Sequence, residues 1–197
     1  FHCFGCVLGV LAAVSHASTL VILEEFNPLL AMTSIHAERC TAFYGVPTMF
    51  ISILEHSFFN SFDYSSLRTG IMAGSPCPKK VMQQVIENMN MKDVTIVYGL
   101  TESSPGMTQT RTDDDIEKRV ETVGRAMPGV EVKVADSETG EEVPCGTQGE
   151  VCCRGYNVMK GYYNMPEATD KTVDREGWLH SGDLGIMDEE GYLTITG

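Results

Sequence analysis

The run Val94-Thr95-Ile96-Val97-Tyr98 is continuous in apolar and β-branched side chains, and it ends on Gly99. A strand of this kind has to be covered on both faces, as strands are inside a mostly parallel sheet layered by helices. The residues before it repeat the arrangement. Residues 4–14 read as a helix, 19–23 as a buried parallel strand and 28–38 as a second helix. Residues 41–46 read as a strand, and Pro47 opens a helix to about residue 58. Residues 69–73 read as a strand weakened at Gly70, and 78–89 as a further helix. Apolar strands alternating with helices predict an α/β fold, a mostly parallel sheet with covering helices.

The second half changes character. Residues 113–119 read as a charged, exposed loop. Short strands follow Pro128-Gly129 at residues 130–135, 150–154 and 192–196, separated by turns such as Glu138-Thr139-Gly140 and Glu189-Glu190-Gly191. The expected division is an α/β subdomain over residues 1–120, incomplete at its start, and a smaller β-rich subdomain over residues 121–197. Both ends read as cut, because Phe1 opens directly into an apolar run and residues 192–196 read as a strand with nothing after it to close it. The expectation is a fragment, with any targeting peptide upstream.

Composition narrows the function classes. The 197 residues are 43% hydrophobic, enough for a sizeable core. Twenty-seven acidic against 14 basic residues give a formal net charge of −13, which repels phosphate backbones and argues against a nucleic-acid partner. Seven cysteines at irregular spacing, two of them adjacent, fit a reducing compartment better than a disulfide framework. His2, Cys3 and Cys6 lack the further ligands of a zinc site and read as ordinary side chains. Residues 3–23 carry no Asp, Glu, Lys or Arg, a length that would cross a bilayer. The polar break Ser15-His16-Ala17-Ser18 favours a buried helix, turn and strand, so no membrane span is expected. His16, His36 and His56 are evenly spaced, but their neighbours do not match, so the spacing is chance.

Three turns carry polar groups where open sheets bind ligands, beyond strand carboxyl ends. In Tyr98-Gly99-Leu100-Thr101-Glu102-Ser103-Ser104, Gly99 lets backbone approach a ligand closely. Thr101 and Glu102 set a hydroxyl beside a carboxylate, a pair suited to Mg²⁺ and phosphate oxygens. The same residues also suit a plain strand-to-helix turn with Thr101 as N-cap. In Ala73-Gly74-Ser75-Pro76-Cys77-Pro78 the backbone suits a base or phosphate, and Ser75 equally suits a helix cap. In Trp178-Leu179-His180-Ser181-Gly182-Asp183-Leu184-Gly185, Asp183 suits the two hydroxyls of a ribose, or a turn in which it bonds its own backbone.

Taken in order, these elements resemble the adenylate-forming superfamily of acyl-CoA synthetases, luciferases and peptide-synthetase adenylation domains. Phe1-His2 is similar to the family's aromatic-His element, and residues 98–102 to its Tyr-Gly-x-Thr-Glu motif. Gly149-Glu150-Val151 with Gly155 and Gly161-Tyr162-Tyr163 is similar to its Gly-Glu-Leu…Gly…Gly-Tyr block. Residues 178–183 resemble Trp-x-x-Thr-Gly-Asp, with Ser181 keeping the hydroxyl of the usual Thr. Within the superfamily the sequence most resembles mitochondrial medium-chain acyl-CoA ligases.

The resemblance implies substrates and roles. Fatty acid, ATP with Mg²⁺, and CoA would be the reactants, passing through an acyl-adenylate and then displacement of AMP by the CoA thiol. Tyr98 and Gly99 would flank adenine, Gly74, Ser75 and Pro76 would line the nucleotide site, and Asp183 would take the ribose hydroxyls. Thr101 would contact phosphate, Glu102 would hold Mg²⁺, and His2 would lie beside the reacting carboxylate. Val46, Pro47, Leu100 and Met107 are acyl-pocket candidates, though each suits a core role. In acetyl-selective relatives a tryptophan matches Gly99 and blocks the pocket, so glycine implies a longer acyl chain, each methylene adding about 0.8 kcal/mol. The family's phosphate loop is expected upstream of Phe1. Its hinge arginine is expected after Gly197, and the lid domain with its catalytic lysine beyond that. The isolated chain is therefore expected not to turn over. The alternatives are a non-catalytic nucleotide-binding module or an adenylation domain loading a carrier protein. The dinucleotide Gly-x-Gly-x-x-Gly and the phosphate-loop Gly-x₄-Gly-Lys-[Ser/Thr] patterns are absent.

Overall fold

The computed structural model describes residues 2–197, so the aromatic member of the Phe1-His2 pair lies outside them. The described residues form two compact units. One comprises Leu8–Ile96 with Arg111–Val120, and the other comprises residues 2–7, Val97–Thr110 and Glu121–Gly197.

The first unit is the layered α/β part. A π-helical segment, Phe4–Leu11, leads into it and continues as α1 (Ala12–Ser15). Helix α2 (Pro28–Glu38) starts on Asn27, whose side chain accepts from the Leu30 N–H at 3.0 Å, and has Pro28 at its first position. Strand β1 (Ala42–Gly45) pairs in parallel with β2 (Thr69–Ala73), and β3 (Asp93–Tyr98) follows β2 in the sheet. Gly70 is opposite Phe43 in this ladder, and a Cβ there would sit 2.0 Å from the Phe43 carbonyl oxygen. Glycine is therefore what lets β1 and β2 approach, rather than a weakness of the strand.

Helix α3 (Pro47–Leu54) and helix α4 (Lys79–Asn88) present apolar faces inward, Phe50 and Ile53 from one, Val81, Met82 and Val85 from the other. Met32, Met72, Met82, Met89 and Met91 are fully buried, unbranched side chains that fill irregular gaps between helix and sheet.

Several sequence expectations change here. Residues 19–23 form no strand; Leu20, Val21 and Ile22 are exposed. A β-rich composition favours extended backbone, but a strand also needs a partner's N–H and C=O groups, and none pairs with this run. Helix α3 stops at Leu54, and His56 turns the chain by accepting the Phe58 N–H at 3.2 Å. The supposed loop 113–119 instead runs into α5 (Ile116–Glu121), whose Arg119 donates to the carbonyls of Lys92 at 2.8 Å and Val94 at 3.3 Å. The charge run hid a side chain that closes open carbonyls.

The second unit carries an antiparallel sheet. The last residues of β3 pair with β4 (Thr108–Gln109), and β4 with β5 (Arg125–Ala126). Strands β6 (Val130–Ala135), β7 (Gln148–Gly155), β8 (Leu179–Met187) and β9 (Leu193–Ile195) follow in order, each antiparallel to the next. Alternation along β7 sends Cys153 into a core with Met107, Val130, Val134, Val151, Leu179 and Leu193, and Cys152 to the other face with Ala135 and Trp178.

The segment read as a turn at 178–185 is mostly β8, and the short helix α6 (Pro166–Thr172) was not foreseen. Glycines and polar residues disguised β8, because part of it is a bulge. No helix among the described residues is long and apolar enough to cross a membrane.

Candidate functional site

In the second unit the candidate residues gather around two hydroxyl–carboxylate pairs. Tyr98, at the end of β3, donates its hydroxyl to Asp183 Oδ2 at 2.7 Å. Tyr162 donates to Glu102 Oε1 at 2.7 Å. Hydrogen bonds to a charged acceptor of this length are the strong kind. Burial pushes the Tyr98 hydroxyl well above its ordinary value of 10, reinforced by the Asp183 carboxylate, so it stays a donor throughout the physiological range. The Tyr162 hydroxyl is also raised, first by its bond to Glu102.

Asp183 owes its position to a bulge. Across β7 and β8, Glu150 is opposite Leu184 and Cys152 opposite His180. One residue on β7 thus faces Ser181, Gly182 and Asp183 on β8, which re-aims Asp183 as bulges do. Gly182 adopts φ +77° there, and its N–H donates to Glu150 Oε1 at 3.0 Å. The Asp183 N–H donates to Ser181 Oγ at 3.0 Å. The Asp183 carboxylate is thus bound to a tyrosine 85 positions away and not to a turn of its own.

The loop after Tyr98 is a short 3₁₀ turn, Thr101–Ser103. Its cap is not Thr101. Ser103 Oγ accepts the Leu100 N–H at 2.9 Å and closes the turn, which leaves Thr101 exposed. Cys3 Sγ lies 3.6 Å from Thr101 Oγ1, and His2 Nδ1 accepts the Phe4 N–H at 3.1 Å, leaving Nε2 of His2 as the ring donor.

Gly99 has a different reason from the expected one. A Cβ there would meet the Pro105 carbonyl oxygen at 2.0 Å and the Met107 nitrogen at 2.9 Å. The close approach is between two stretches of this chain, so a side chain at 99 would strike backbone before any pocket. Gly99 therefore offers no geometric ground for a longer acyl chain. Met107 is fully buried in the core of the antiparallel sheet, with Leu100 packed against that core.

In the first unit, Gly74 follows β2 at φ +90°, and a Cβ on it would lie 3.1 Å from Val46 Cγ1. Val46 is half-buried and Pro47 buried, while Gly74, Ser75 and Pro76 are exposed. Ser75 does not cap α4: Pro78 precedes the helix, which has no side-chain cap. Cys77 closes the loop instead, its thiol directed at the carbonyls of Met72 at 3.7 Å and Ser75 at 3.6 Å, and burial pushes its pKa to about 12.

Sequence reasoning assigned no role to Tyr162, Glu150 or His180. All three lie in quoted motifs, Gly161-Tyr162-Tyr163, Gly149-Glu150-Val151 and Trp178-Leu179-His180, but their partners are 30 to 60 positions distant.

Residues 1–163 match the family model described as AMP-binding enzyme. The chain belongs to the AMP-binding enzyme family. Over its whole length it is 56% identical to a provisionally named acyl-CoA synthetase, YngI, of Bacillus subtilis (strain 168), of which it covers 36%. It is 40% identical over 198 residues to the mitochondrial medium-chain acyl-CoA ligase ACSF2 of Mus musculus, covering 32% of it. The chain thus spans about a third of the length of the curated relatives it matches.

Among solved structures, ATP-bound MatB from Rhodopseudomonas palustris superposes with a TM-score of 0.86 at 30% identity, covering 100% of this chain and 38% of that one. The amide bond synthetase McbA from Marinactinospora thermotolerans superposes at 0.85 and 33% identity, covering 98% and 39%. The fold is that of adenylate-forming enzymes of this family, a mixed α/β structure with a sheet containing parallel strands and an antiparallel sheet.

Proposed function

We propose that this chain carries nucleotide-handling residues of an ATP-dependent fatty acid–CoA ligase that forms an acyl-adenylate and passes the acyl group to CoA. The observation that carries the reading is the pair of bonds Tyr98–Asp183 and Tyr162–Glu102, two carboxylates each fixed by one tyrosine within one unit. Family membership and the names of the relatives support the same reading.

In this reading Asp183 takes the ribose hydroxyls. Its Oδ2 is oriented by Tyr98, which also flanks the adenine with Gly99. Gly74, Ser75 and Pro76 offer exposed backbone to the nucleotide. Thr101 directs its hydroxyl to phosphate, and His2 stands near the reacting carboxylate. Val46, Pro47, Leu100 and Met107 remain the acyl-pocket candidates.

Glu102 fits Mg²⁺: Tyr162 occupies only Oε1, and the carboxylate sits on a half-exposed turn beside a hydroxyl, the hard oxygen donors this ion prefers. When bound, Mg²⁺ would neutralise charge on phosphate oxygens. Tyr162 holds the Glu102 carboxylate in one orientation, so its geometry needs no reorganisation as charge moves on the phosphate.

Medium chain length and a mitochondrial site of action are proposed on the name of the mouse relative alone. Residues 1–120 and 121–197 are proposed as the α/β and β-rich parts of the larger enzyme.

The test is carboxylate-dependent ATP–pyrophosphate exchange by the full-length enzyme, with acids from acetate to palmitate. The expected result is exchange that peaks at medium length, followed by CoA thioester when CoA is added. Exchange followed by amide or carrier-bound product, and no thioester, would replace CoA as the acceptor. ATP binding with no exchange for any acid would leave only a nucleotide-binding module.

A further inference from the structure

The face of the antiparallel sheet opposite the Cys153 core carries a cluster that the proposed reaction does not use. Cys152 and His180 are directly opposite on β7 and β8, with Cys152 Sγ 3.5 Å from His180 Nδ1. Glu150 Oε2 lies 2.8 Å from the same nitrogen. One donor atom from each of the three residues lies within 4.8 Å of the other two.

We propose that Glu150, Cys152 and His180 bind a divalent cation of the zinc class, with solvent as the fourth ligand. Sulfur, imidazole nitrogen and one carboxylate oxygen form a borderline-soft donor set that suits zinc and not Mg²⁺, so this is a different site from the Glu102 carboxylate.

The spacing fits. Zn–S of about 2.3 Å and Zn–N of about 2.0–2.1 Å give a tetrahedral edge of about 3.6 Å, against 3.5 Å between Cys152 Sγ and His180 Nδ1. The Glu150–His180 contact is at hydrogen-bond length, so a small opening of that pair admits the ion.

The surroundings match those of a ligating histidine. Its other nitrogen, Nε2, faces Asp174 Oδ2 at 3.6 Å, and Asp174 Oδ1 is anchored by the N–H groups of Glu176 and Trp178, both at 2.9 Å. A carboxylate on the distal nitrogen of a ligating histidine fixes its tautomer and ring orientation. Glu150 Oε1 stays on the Gly182 N–H, so the ion uses Oε2 alone and the bulge that aims Asp183 is kept. The His180 and Glu150 side chains are 25% and 16% exposed, which gives the ion a way in. Binding exchanges the Cys152 thiol proton, released to solvent, for a metal–sulfur bond. In the metal-bound form Nδ1 of His180 is the ligand and the ring proton is on Nε2, facing Asp174.

The full-length protein is stripped with chelator and titrated with zinc, and separately with cobalt(II), in a background of Cys3→Ser, Cys6→Ser and Cys145→Ser that removes three competing thiols, with the Cys152→Ser variant separating any binding at the half-buried Cys40 and Cys77. The expected result is one equivalent bound per chain, a sulfur-to-cobalt charge-transfer band in the near ultraviolet and a higher unfolding temperature. Cys152→Ser and His180→Gln should each abolish the band. Asp174→Asn should weaken zinc about 10–100-fold, as loss of an outer partner does. His180→Gln alters a partly exposed side chain and keeps the test decisive should Cys152→Ser not fold. No sulfur-to-cobalt band in the background protein, or zinc affinity unchanged in His180→Gln, overturns the proposal. Neither result depends on exchange activity, so failure of the ligase reading leaves this test intact.

Discussion

The hydroxyl of Tyr98 is a single atom on which the proposed ribose site depends. Removing it leaves Asp183 without its 2.7 Å donor while the ring stays in place. A hydrogen bond to a charged group contributes about 1.5–3 kcal/mol. Tyr98→Phe should therefore raise the KM for ATP about tenfold or more in the full-length enzyme. The effect on kcat should be smaller, because the carboxylate is mispositioned but not removed. Steady-state kinetics at varied ATP checks this. Tyr162→Phe belongs to the same scale but acts on Glu102. Its expected signature is a higher Mg²⁺ requirement at fixed ATP, read from a magnesium titration of exchange. Equal effects of both substitutions on ATP and on Mg²⁺ would count against separate roles for the two pairs.

At the scale of elements, the antiparallel sheet reuses one turn. Asp174-Arg175-Glu176-Gly177-Trp178 and Asp188-Glu189-Glu190-Gly191-Tyr192 share a pattern of Asp, Glu, Gly and an aromatic. In both, the first aspartate Oδ1 accepts the N–H groups two and four residues on, at 2.8–2.9 Å. In both, glycine stands at a positive φ, +83° at Gly177 and +82° at Gly191. A residue with a Cβ costs about 1–2 kcal/mol in that conformation. Gly191→Ala meets no neighbouring atom within 4 Å, so the cost should be conformational strain alone. Urea unfolding should show a loss of about that size. The turn was visible in sequence as Glu189-Glu190-Gly191, whereas the bulge at 181–183 was not. A bulge is defined by what the neighbouring strand does, and Glu150, which anchors it, is 32 positions from Gly182.

For the whole molecule, acid should be the destabilising direction. Asp136 lies below its ordinary 3.8, held there by the N–H groups of Thr139 and Glu138. Glu131 lies below 4.5 through its bond to Arg154. Burial alone would raise Asp174, but the N–H groups of Trp178 and Glu176 and the His180 ring outweigh it and bring it below 3.8. A depressed carboxyl takes up its proton more readily in the unfolded chain, so its stabilising effect is full above the unfolded value and is lost as pH falls through the folded one. Denaturation midpoints should be flat between about pH 5 and about pH 8, decline below about pH 4, and decline again in alkali, where the buried Cys77, Cys152 and Cys153 thiols ionise more readily in the unfolded chain. Asp174→Asn should reduce that decline.

The layered α/β class, the β-rich second part and the family were legible in the sequence because apolar runs, turn residues and short motifs are local. The strand expected at 19–23 failed because a ladder needs a partner. Arg119 was read as surface because its two carbonyl acceptors, Lys92 and Val94, lie 27 and 25 positions earlier in the chain. Gly99 was assigned to ligand approach because the Pro105 carbonyl beside it is set by the path of the following loop. By itself the sequence determined which residues carry carboxylates, hydroxyls and thiols and which segments favour helix or strand, since those properties reside in single residues and their near neighbours. Only the tertiary structure decided that Tyr98 meets Asp183, that Tyr162 meets Glu102, and that Glu150, Cys152 and His180 converge. Those meetings arise from strand register and a bulge, which bring together groups far apart in the chain.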